Sequence, residues 1–136
     1  MTPAADEPAR KEGEAEVSDR ADSLELLRDV AAIVSDKLGE DLVALDVGEL
    51  VGYTDYLLIC TARSERLAKA IHDEVYHRLK REHERLPARV EGEVEARWVL
   101  MDYLDCVLHI FVPELRERYR LEVLWGEAPQ VELPTK

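Results

Sequence analysis

Hydrophobic residues recur every three or four positions in two stretches of the chain, as in helices that bury one face. The first stretch predicts a helix from its capping residue Ser23 to Leu38, with Gly39 ending it in a left-handed conformation. Its apolar stripe is wider than one sheet face requires, so this helix is either well buried or also in contact with a partner or a second copy. The stripe consists of Leu24, Leu26, Leu27, Val30, Ala31, Ile33, Val34 and Leu38.

The second stretch predicts a helix from its capping residue Ser64 to about Glu82. Its apolar residues are spaced by four, at Leu67, Ile71, Val75 and Leu79. The last turn is basic, which suits the negative end of a helix dipole. A basic binding patch is therefore not needed to explain those charges.

Short apolar runs between and after these helices predict strands. Tyr56 to Thr61 is nearly all apolar, as expected for a central strand covered on both faces. The other predicted strands are 42–47, a short edge strand at 90–91, and a final pair at 97–103 and 106–112, with a turn at 48–54. Pro113 opens a last helix that reaches about Trp125. This order predicts an α/β sandwich, with a mixed β-sheet flanked by helices.

The last two strands have different faces. A two-residue turn at Tyr103 and Leu104 would pair Asp102 with Asp105, Leu100 with Val107, and Trp98 with His109. Because side chains alternate across a strand, one face is aliphatic and packs on the helices. The other is aromatic, and is either a binding surface or a second core under the C-terminal helix. It consists of Trp98, Leu100, Asp102, Val107, His109 and Phe111.

The chain is strongly acidic, with a net charge of -12 at pH 7. An acidic surface repels phosphates, so we expect little direct contact with nucleic acid. The acidity either keeps the protein soluble or favours a basic protein partner. Residues 1–22 are acidic and poor in large apolar side chains, which predicts a disordered N-terminal tail. A single domain at 23–128 and an irregular C-terminal tail at 129–136 follow.

Several features exclude other classes of protein. The chain begins without the layout of a signal peptide and has no apolar run of about 20 residues, so we expect a cytoplasmic protein that does not enter a membrane. Cys60 and Cys106 lie in apolar runs and are expected to be buried thiols. His72 and His77 are five residues apart, which does not match a zinc-binding helix.

No nucleophile–base pair, metal-ligand set or phosphate loop is recognisable, so we expect neither an enzyme nor a bound cofactor or metal. The aspartates at strand ends and beside the turn occupy ordinary positions for Asp. These are Asp46, Asp55, Asp102 and Asp105. Arginines and glutamates are matched along the last helix, which favours a solvated face over an anion site. These are Arg116, Arg118 and Arg120 with Glu114, Glu117 and Glu122.

Between about Leu27 and Val131, several short blocks together resemble the bacterial ribosomal silencing factor family, also called the Iojap-related family. The blocks are Leu45-Asp46-Val47, Thr54-Asp55-Tyr56 leading to Ile59, Ser64, Glu91-Gly92, Trp98 with Asp102 and Asp105, Val107 with His109, and Arg116, Tyr119, Leu121-Glu122 and Leu124-Trp125. The family usually has glycine where Leu104 and Ala62 stand. Such glycines serve backbone geometry, so the shape of the turn that carries Tyr103 is left open.

The resemblance implies a nucleotidyltransferase-like sandwich without the catalytic motif, and no enzymatic activity. It implies binding to the large ribosomal subunit at ribosomal protein L-fourteen, a basic protein of the intersubunit face. The bound factor would block joining of the small subunit and repress translation when nutrients are limiting. A homodimer of the free protein is also implied. The implied contact residues are Trp98, Asp102, Tyr103 and His109, with Arg116 and Tyr119.

Two other functions are kept as alternatives. One is a cryptic or degenerate metal-dependent nucleotidyltransferase that uses Asp102 and Asp105. Metal-dependent nucleotide binding would favour it. The other is a dimeric scaffold that acts away from the ribosome through the stripe of the first helix. A failure to co-sediment with large subunits would favour the scaffold.

Overall fold

The computed structural model describes residues 6–133, with side chains from residue 20 onward. Its helices are α1 (Asp6–Asp36), α2 (Gly48–Val51), α3 (Glu65–His83), α4 (Pro113–Tyr119) and α5 (Leu121–Leu124). Its strands are β1 (Glu40–Asp46), β2 (Tyr56–Thr61), β3 (Arg89–Glu91), β4 (Trp98–Asp102) and β5 (Cys106–Phe111). The predicted strands are confirmed to within two residues at each end, and the predicted turn at 48–54 contains α2. None of the described helices is long and apolar enough to span a membrane.

The five strands form one mixed sheet in the order β1-β2-β5-β4-β3. β2 and β5 are parallel, and the other neighbouring pairs are antiparallel. Every residue of these two central strands is buried, as their continuous apolar sequences predict. The predicted α/β class with a mixed sheet flanked by helices is therefore confirmed.

One face of the sheet is covered by α1 and α3. Ser64 caps α3, since its Oγ accepts a hydrogen bond from the Leu67 amide at 3.1 Å. Most of the wide apolar stripe of α1 is buried between α3 and the sheet, which accounts for its width within a single chain. The largest fully buried aliphatic side chains of this core are Leu27, Leu58, Ile71, Leu79, Met101, Leu108 and Ile110.

The opposite face is covered by α4, α5 and the segment that follows them. Leu115, Leu121 and Trp125 pack there on a second apolar cluster centred on Phe111 and Ile59. The chain then runs beside β1, where the Asp46 amide donates to the Pro129 carbonyl and the Val131 amide to the Ala44 carbonyl, both at 2.8 Å. Of the predicted C-terminal tail, residues 129–131 are thus paired with β1, and residues 134–136 lie outside the described part.

The first helix differs from its prediction at both ends. It begins at Asp6 rather than Ser23, so the backbone of residues 6–22 is helical where composition predicts disorder. Residues 1–5 of that tail lie outside the described chain. Good helix formers fill this stretch, and Pro8 falls in the first turn, where it removes no helical hydrogen bond. At the other end Leu38, not Gly39, is left-handed with φ 70°. Gly39 is instead placed so that an added Cβ would collide with the Val34 side chain.

The turn between β4 and β5 is longer than predicted. Three residues, 103–105, connect the strands, and the observed pairs are Asp102 with Val107, Leu100 with His109, and Trp98 with Phe111. The predicted pairing is therefore wrong by two residues. Because side chains repeat every two residues, this shift leaves both faces with the predicted members. Leu104 has φ 73°, a conformation that favours glycine, which fits the glycine usual there in the resembled family.

The predicted last helix is broken in two. Arg120 adopts φ 46° and ψ 55°, ending α4 at Tyr119 before α5 begins at Leu121. The break turns the chain so that α4 lies over β5, while Leu121 and Trp125 pack on the second apolar cluster.

Candidate functional site

Four aromatic rings meet on the face covered by α4. The Trp98 ring centroid lies 4.8 Å from that of Phe111, 4.8 Å from that of Tyr119 and 6.0 Å from that of His109. The indole N–H of Trp98 donates a 3.0 Å hydrogen bond to Nδ1 of His109. Three members of the cluster come from β4 and β5, where alternation predicts them on one face, and Tyr119 reaches it from the end of α4.

His109 fixes the position of the indole and is not itself exposed. The residue is only 7% exposed, and burial lowers the pKa of its imidazole to about 4. Accepting a hydrogen bond at Nδ1 requires an uncharged ring that carries its own proton on Nε2. At neutral pH His109 is thus a structural histidine that orients Trp98, and any role in binding is exerted through the indole.

The cover over this face is incomplete at its β4 side. Trp98, Leu100 and Leu115 are half-buried, and Tyr119 is 47% exposed. We call these four residues the Trp98 surface. The aromatic face was predicted to be either a second core or a binding surface, and each prediction is right for part of it. Phe111, His109 and Val107 are buried as a second core, while the rings at the edge remain accessible. A partner can therefore reach Trp98 and Tyr119.

The two other implied contact residues near the turn have different environments. Tyr103 is 1% exposed and packs with Met101 in the core beneath α1 and α3, on the far side of the sheet. Burial raises the pKa of its hydroxyl above the usual range. Asp102 lies half-buried at the end of β4, and its Oδ1 accepts a 2.8 Å hydrogen bond from the Leu104 amide. Asp102 therefore shapes the turn, and Tyr103 is inaccessible to a partner.

Arg116 connects three elements instead of facing solvent. Its Nε donates to Glu122 Oε2 at 3.1 Å, and an outer nitrogen donates to Thr61 Oγ1 at 2.8 Å. The side chain is 12% exposed. The prediction of a solvated arginine face is wrong for Arg116, because the break at Arg120 folds Glu122 back toward it. Arg118 and Arg120 are exposed as predicted.

The aspartates at the strand ends and beside the turn form hydrogen bonds and ion pairs within the chain. Arg20 reaches Asp46 at 2.8 Å and Asp55 at 3.4 Å, and Ser23 donates to Asp55 at 2.8 Å. Asp105 forms an ion pair of 3.0 Å with Arg85. Among the side chains described, no three His, Cys, Asp or Glu residues are grouped as metal ligands would be. These contacts give the aspartates structural tasks.

Sequence reasoning missed the loop between β3 and β4. Val94 in this loop is 89% exposed and lies beside Trp98 and Leu115 around one cleft. Glu93 and Glu95 line the same cleft. In the sequence, the only indication that this loop borders the aromatic face is one apolar residue between two glutamates. That pattern is too common to predict a site by itself.

The chain was compared with known protein families and proteins. Residues 20–136 match the family described as "Ribosomal silencing factor during starvation". Ribosomal silencing factor RsfS of Bacillus subtilis is 40% identical over 79% of this chain and 91% of its own length. That of Halalkalibacterium halodurans is 41% identical over 80% and 92%. Protein Iojap of Arabidopsis thaliana chloroplasts is 35% identical over 88% of this chain and 50% of its own length.

Two crystal structures have a similar fold. A protein from Bacillus halodurans superposes with a TM-score of 0.71 at 39% identity, covering 81% of this chain and 99% of that one. A protein from Chromobacterium violaceum gives a TM-score of 0.73 at 28% identity, covering 83% and 92%. The matched part of the sequence begins at residue 20, where Arg20 joins α1 to the ends of β1 and β2.

Proposed function

This chain belongs to the ribosomal silencing factor family, a regulatory and non-enzymatic family, and we propose that it represses translation by binding the large ribosomal subunit. In this proposal the partner is ribosomal protein L-fourteen on the intersubunit face. The bound factor occupies space that the small subunit needs, so the subunits do not join. It acts in the cytoplasm, under nutrient limitation.

The Trp98 surface is the observation that carries the proposal. Trp98 and Tyr119 form an accessible aromatic pair. The indole of Trp98 is held in place by its hydrogen bond to the buried His109 and by stacking on the buried Phe111. Aromatic residues held rigidly in this way are typical anchors of protein interfaces. The molecule around them carries a net charge of -12, which favours a basic protein and disfavours bare nucleic acid.

The six residues implied by the resemblance take different parts in this proposal. Trp98 and Tyr119 touch the partner. Asp102 shapes the turn at the other end of β4 from Trp98, and His109 holds the indole in place. Tyr103 and Arg116 support the fold from the core and from α4. A homodimer of the free protein stays a prediction, and its contact would have to lie largely outside the α1 stripe, most of which is buried within the chain.

Co-sedimentation with purified large subunits tests the proposed contact. We expect wild type to bind and Trp98→Ala to bind at least about tenfold more weakly, because loss of an aromatic anchor costs roughly 2 kcal/mol or more. Tyr119→Ala should also weaken binding, by a smaller factor. Tyr53→Ala is the matched control, since Tyr53 is an exposed tyrosine outside the Trp98 surface.

The fold of each variant is checked by circular dichroism and thermal unfolding, because Trp98 also packs on Phe111. Wild-type affinity in folded Trp98→Ala and Tyr119→Ala would contradict the assignment of the contact surface. Failure of the wild type to bind large subunits at low salt would contradict the proposed function itself.

A further inference from the structure

The loop between β3 and β4 is a rigid rim next to Trp98. Gly92 has φ +80°, and a Cβ added there would collide with the Trp98 carbonyl oxygen, so the loop lies directly against β4. The Ala96 amide donates to the Gly92 carbonyl at 2.8 Å and closes the loop. Ala96 itself is buried. A loop held in this way needs little ordering when a partner binds.

Trp98, Leu115 and Val94 supply the apolar walls of the cleft that this loop borders. The cleft has a volume of about 360 Å³, at the lower end of the range for ligand pockets. That space suits one long side chain better than a segment of folded chain. Val94 projects from the rim and is 89% exposed, and with the half-buried Trp98 and Leu115 it forms an apolar lining that a partner's side chain can cover.

The charges around the cleft select a cation. Within the described part of the chain, neither Glu93 nor Glu95 has an ion pair or a side-chain hydrogen bond. Arg97 also lines the cleft, but its guanidinium lies 3.8 Å from Glu65 and 3.7 Å from Glu114. Two unpaired carboxylates beside an indole ring attract a lysine or arginine, whose aliphatic stem packs on apolar walls while its charge meets the acids.

We propose that the cleft formed by Glu93, Val94, Glu95, Trp98 and Leu115 receives a lysine or arginine side chain of the basic protein partner. This inference rests on the proposed function and specifies how the Trp98 surface recognises its partner. A second copy of this chain is a poor occupant, because it would bring a further net charge of -12 against the same acids.

The double variant Glu93→Gln/Glu95→Gln tests the inference, because it removes both charges and keeps the size of the side chains. Its affinity for purified large subunits is measured by sedimentation over a range of salt concentrations. We expect binding about tenfold weaker than wild type at low salt, with a shallower dependence on salt. Glu25→Gln/Glu74→Gln is the matched control, since it changes net charge equally on the helices of the opposite face.

Three results would overturn the inference. Equal affinity of the Glu93/Glu95 variant and the control, with Trp98→Ala still weakened, would overturn it while leaving the proposed function intact. Tighter binding by the Glu93/Glu95 variant would mean that the cleft faces phosphate groups. No binding by wild type would overturn the inference and the proposed function together.

Discussion

Trp98 and His109 act as one unit at the scale of single residues. The indole lies partly in water, and its orientation depends on a buried imidazole that accepts its hydrogen bond. Because His109 limits the rotation of the indole, Trp98 needs little further ordering when a partner binds. Protonation of His109 would remove the acceptor and place a charge among apolar side chains.

This pair predicts a dependence of stability on pH. The pKa of His109 is about 4 in the folded chain and near 6.5 when unfolded, so the unfolded state binds the proton first as the pH falls. The stabilisation from the neutral ring is present above about pH 6.5 and is lost as the pH falls toward 4. Between pH 7 and pH 5 we expect a loss of about 2 kcal/mol from this group.

Urea unfolding of wild type and His109→Gln at both pH values checks this prediction. Gln keeps an acceptor for the indole but does not titrate, so the difference between the two proteins isolates the imidazole. Parallel pH dependences of wild type and variant would contradict a depressed pKa at His109.

Alternation along the strands predicts which face of the sheet single residues occupy. It places Trp98, His109 and Phe111 on one face, as observed. The same rule places Tyr103 with Met101 on the other face, where it is buried. The resemblance to a family does not distinguish a residue that touches a partner from one that supports the fold. That distinction needs the exposure of each side chain.

At the scale of elements, the break between α4 and α5 positions the cover of the second core. Arg116 of α4 connects the helices on either side of this break, because it donates hydrogen bonds to Glu122 of α5 and to Thr61 of β2. Glu122 keeps one buried carboxylate oxygen without a hydrogen bond among the described residues, and its other oxygen is paired with Arg116 at 3.1 Å. This contact maintains the shape of the segment that ends in Tyr119.

We expect Arg116→Ala to lower the free energy of unfolding by about 2 kcal/mol, because it leaves a partly buried carboxylate without its counterion. Arg118→Ala, on the same short helix but with an exposed side chain, should change stability by less than about 0.5 kcal/mol. Chemical denaturation of the two variants measures both. Equal stability of the two variants would show that Arg116 does not hold α4 and α5 together.

The elements differ in how well the sequence predicts them. The two central strands and α3 are predicted well. A strand buried on both faces has a continuous apolar sequence, and a helix buried on one face has apolar residues spaced by four. The break at Arg120 and the three-residue turn at 103–105 depend on left-handed residues that are not glycine, at Arg120 and Leu104. Propensity does not reveal such positions, since tertiary contacts impose them.

At the scale of the whole molecule, the two faces of one sheet have different tasks. The face beneath α1 and α3 carries the larger core and supplies most of the buried apolar surface. The other face is covered only as far as α4 and α5 reach, which leaves the Trp98 surface at its β4 side. The mixed sheet is thus a rigid support, and the partly covered face presents the aromatic pair on an acidic background.

Composition and pattern suffice to predict this general plan. Net charge favours a basic protein partner, and alternation identifies the aromatic face. Neither gives the extent of the cover over that face, because the cover depends on where the chain turns after Tyr119. The loop that carries Val94 was missed for the same reason, since its position beside Trp98 follows from the packing of Gly92 on β4.

Repression by blocked subunit joining is tested most directly by measuring subunit joining itself. Separated ribosomal subunits are mixed in a buffer that allows joining, with wild-type protein, with Trp98→Ala or with no addition, and the products are resolved on a sucrose gradient. We expect wild type to migrate with the large subunit and to reduce the peak of joined ribosomes, while Trp98→Ala at equal concentration does so much less. Wild-type protein that binds large subunits but leaves the joined peak unchanged would show that it does not repress translation by blocking subunit joining.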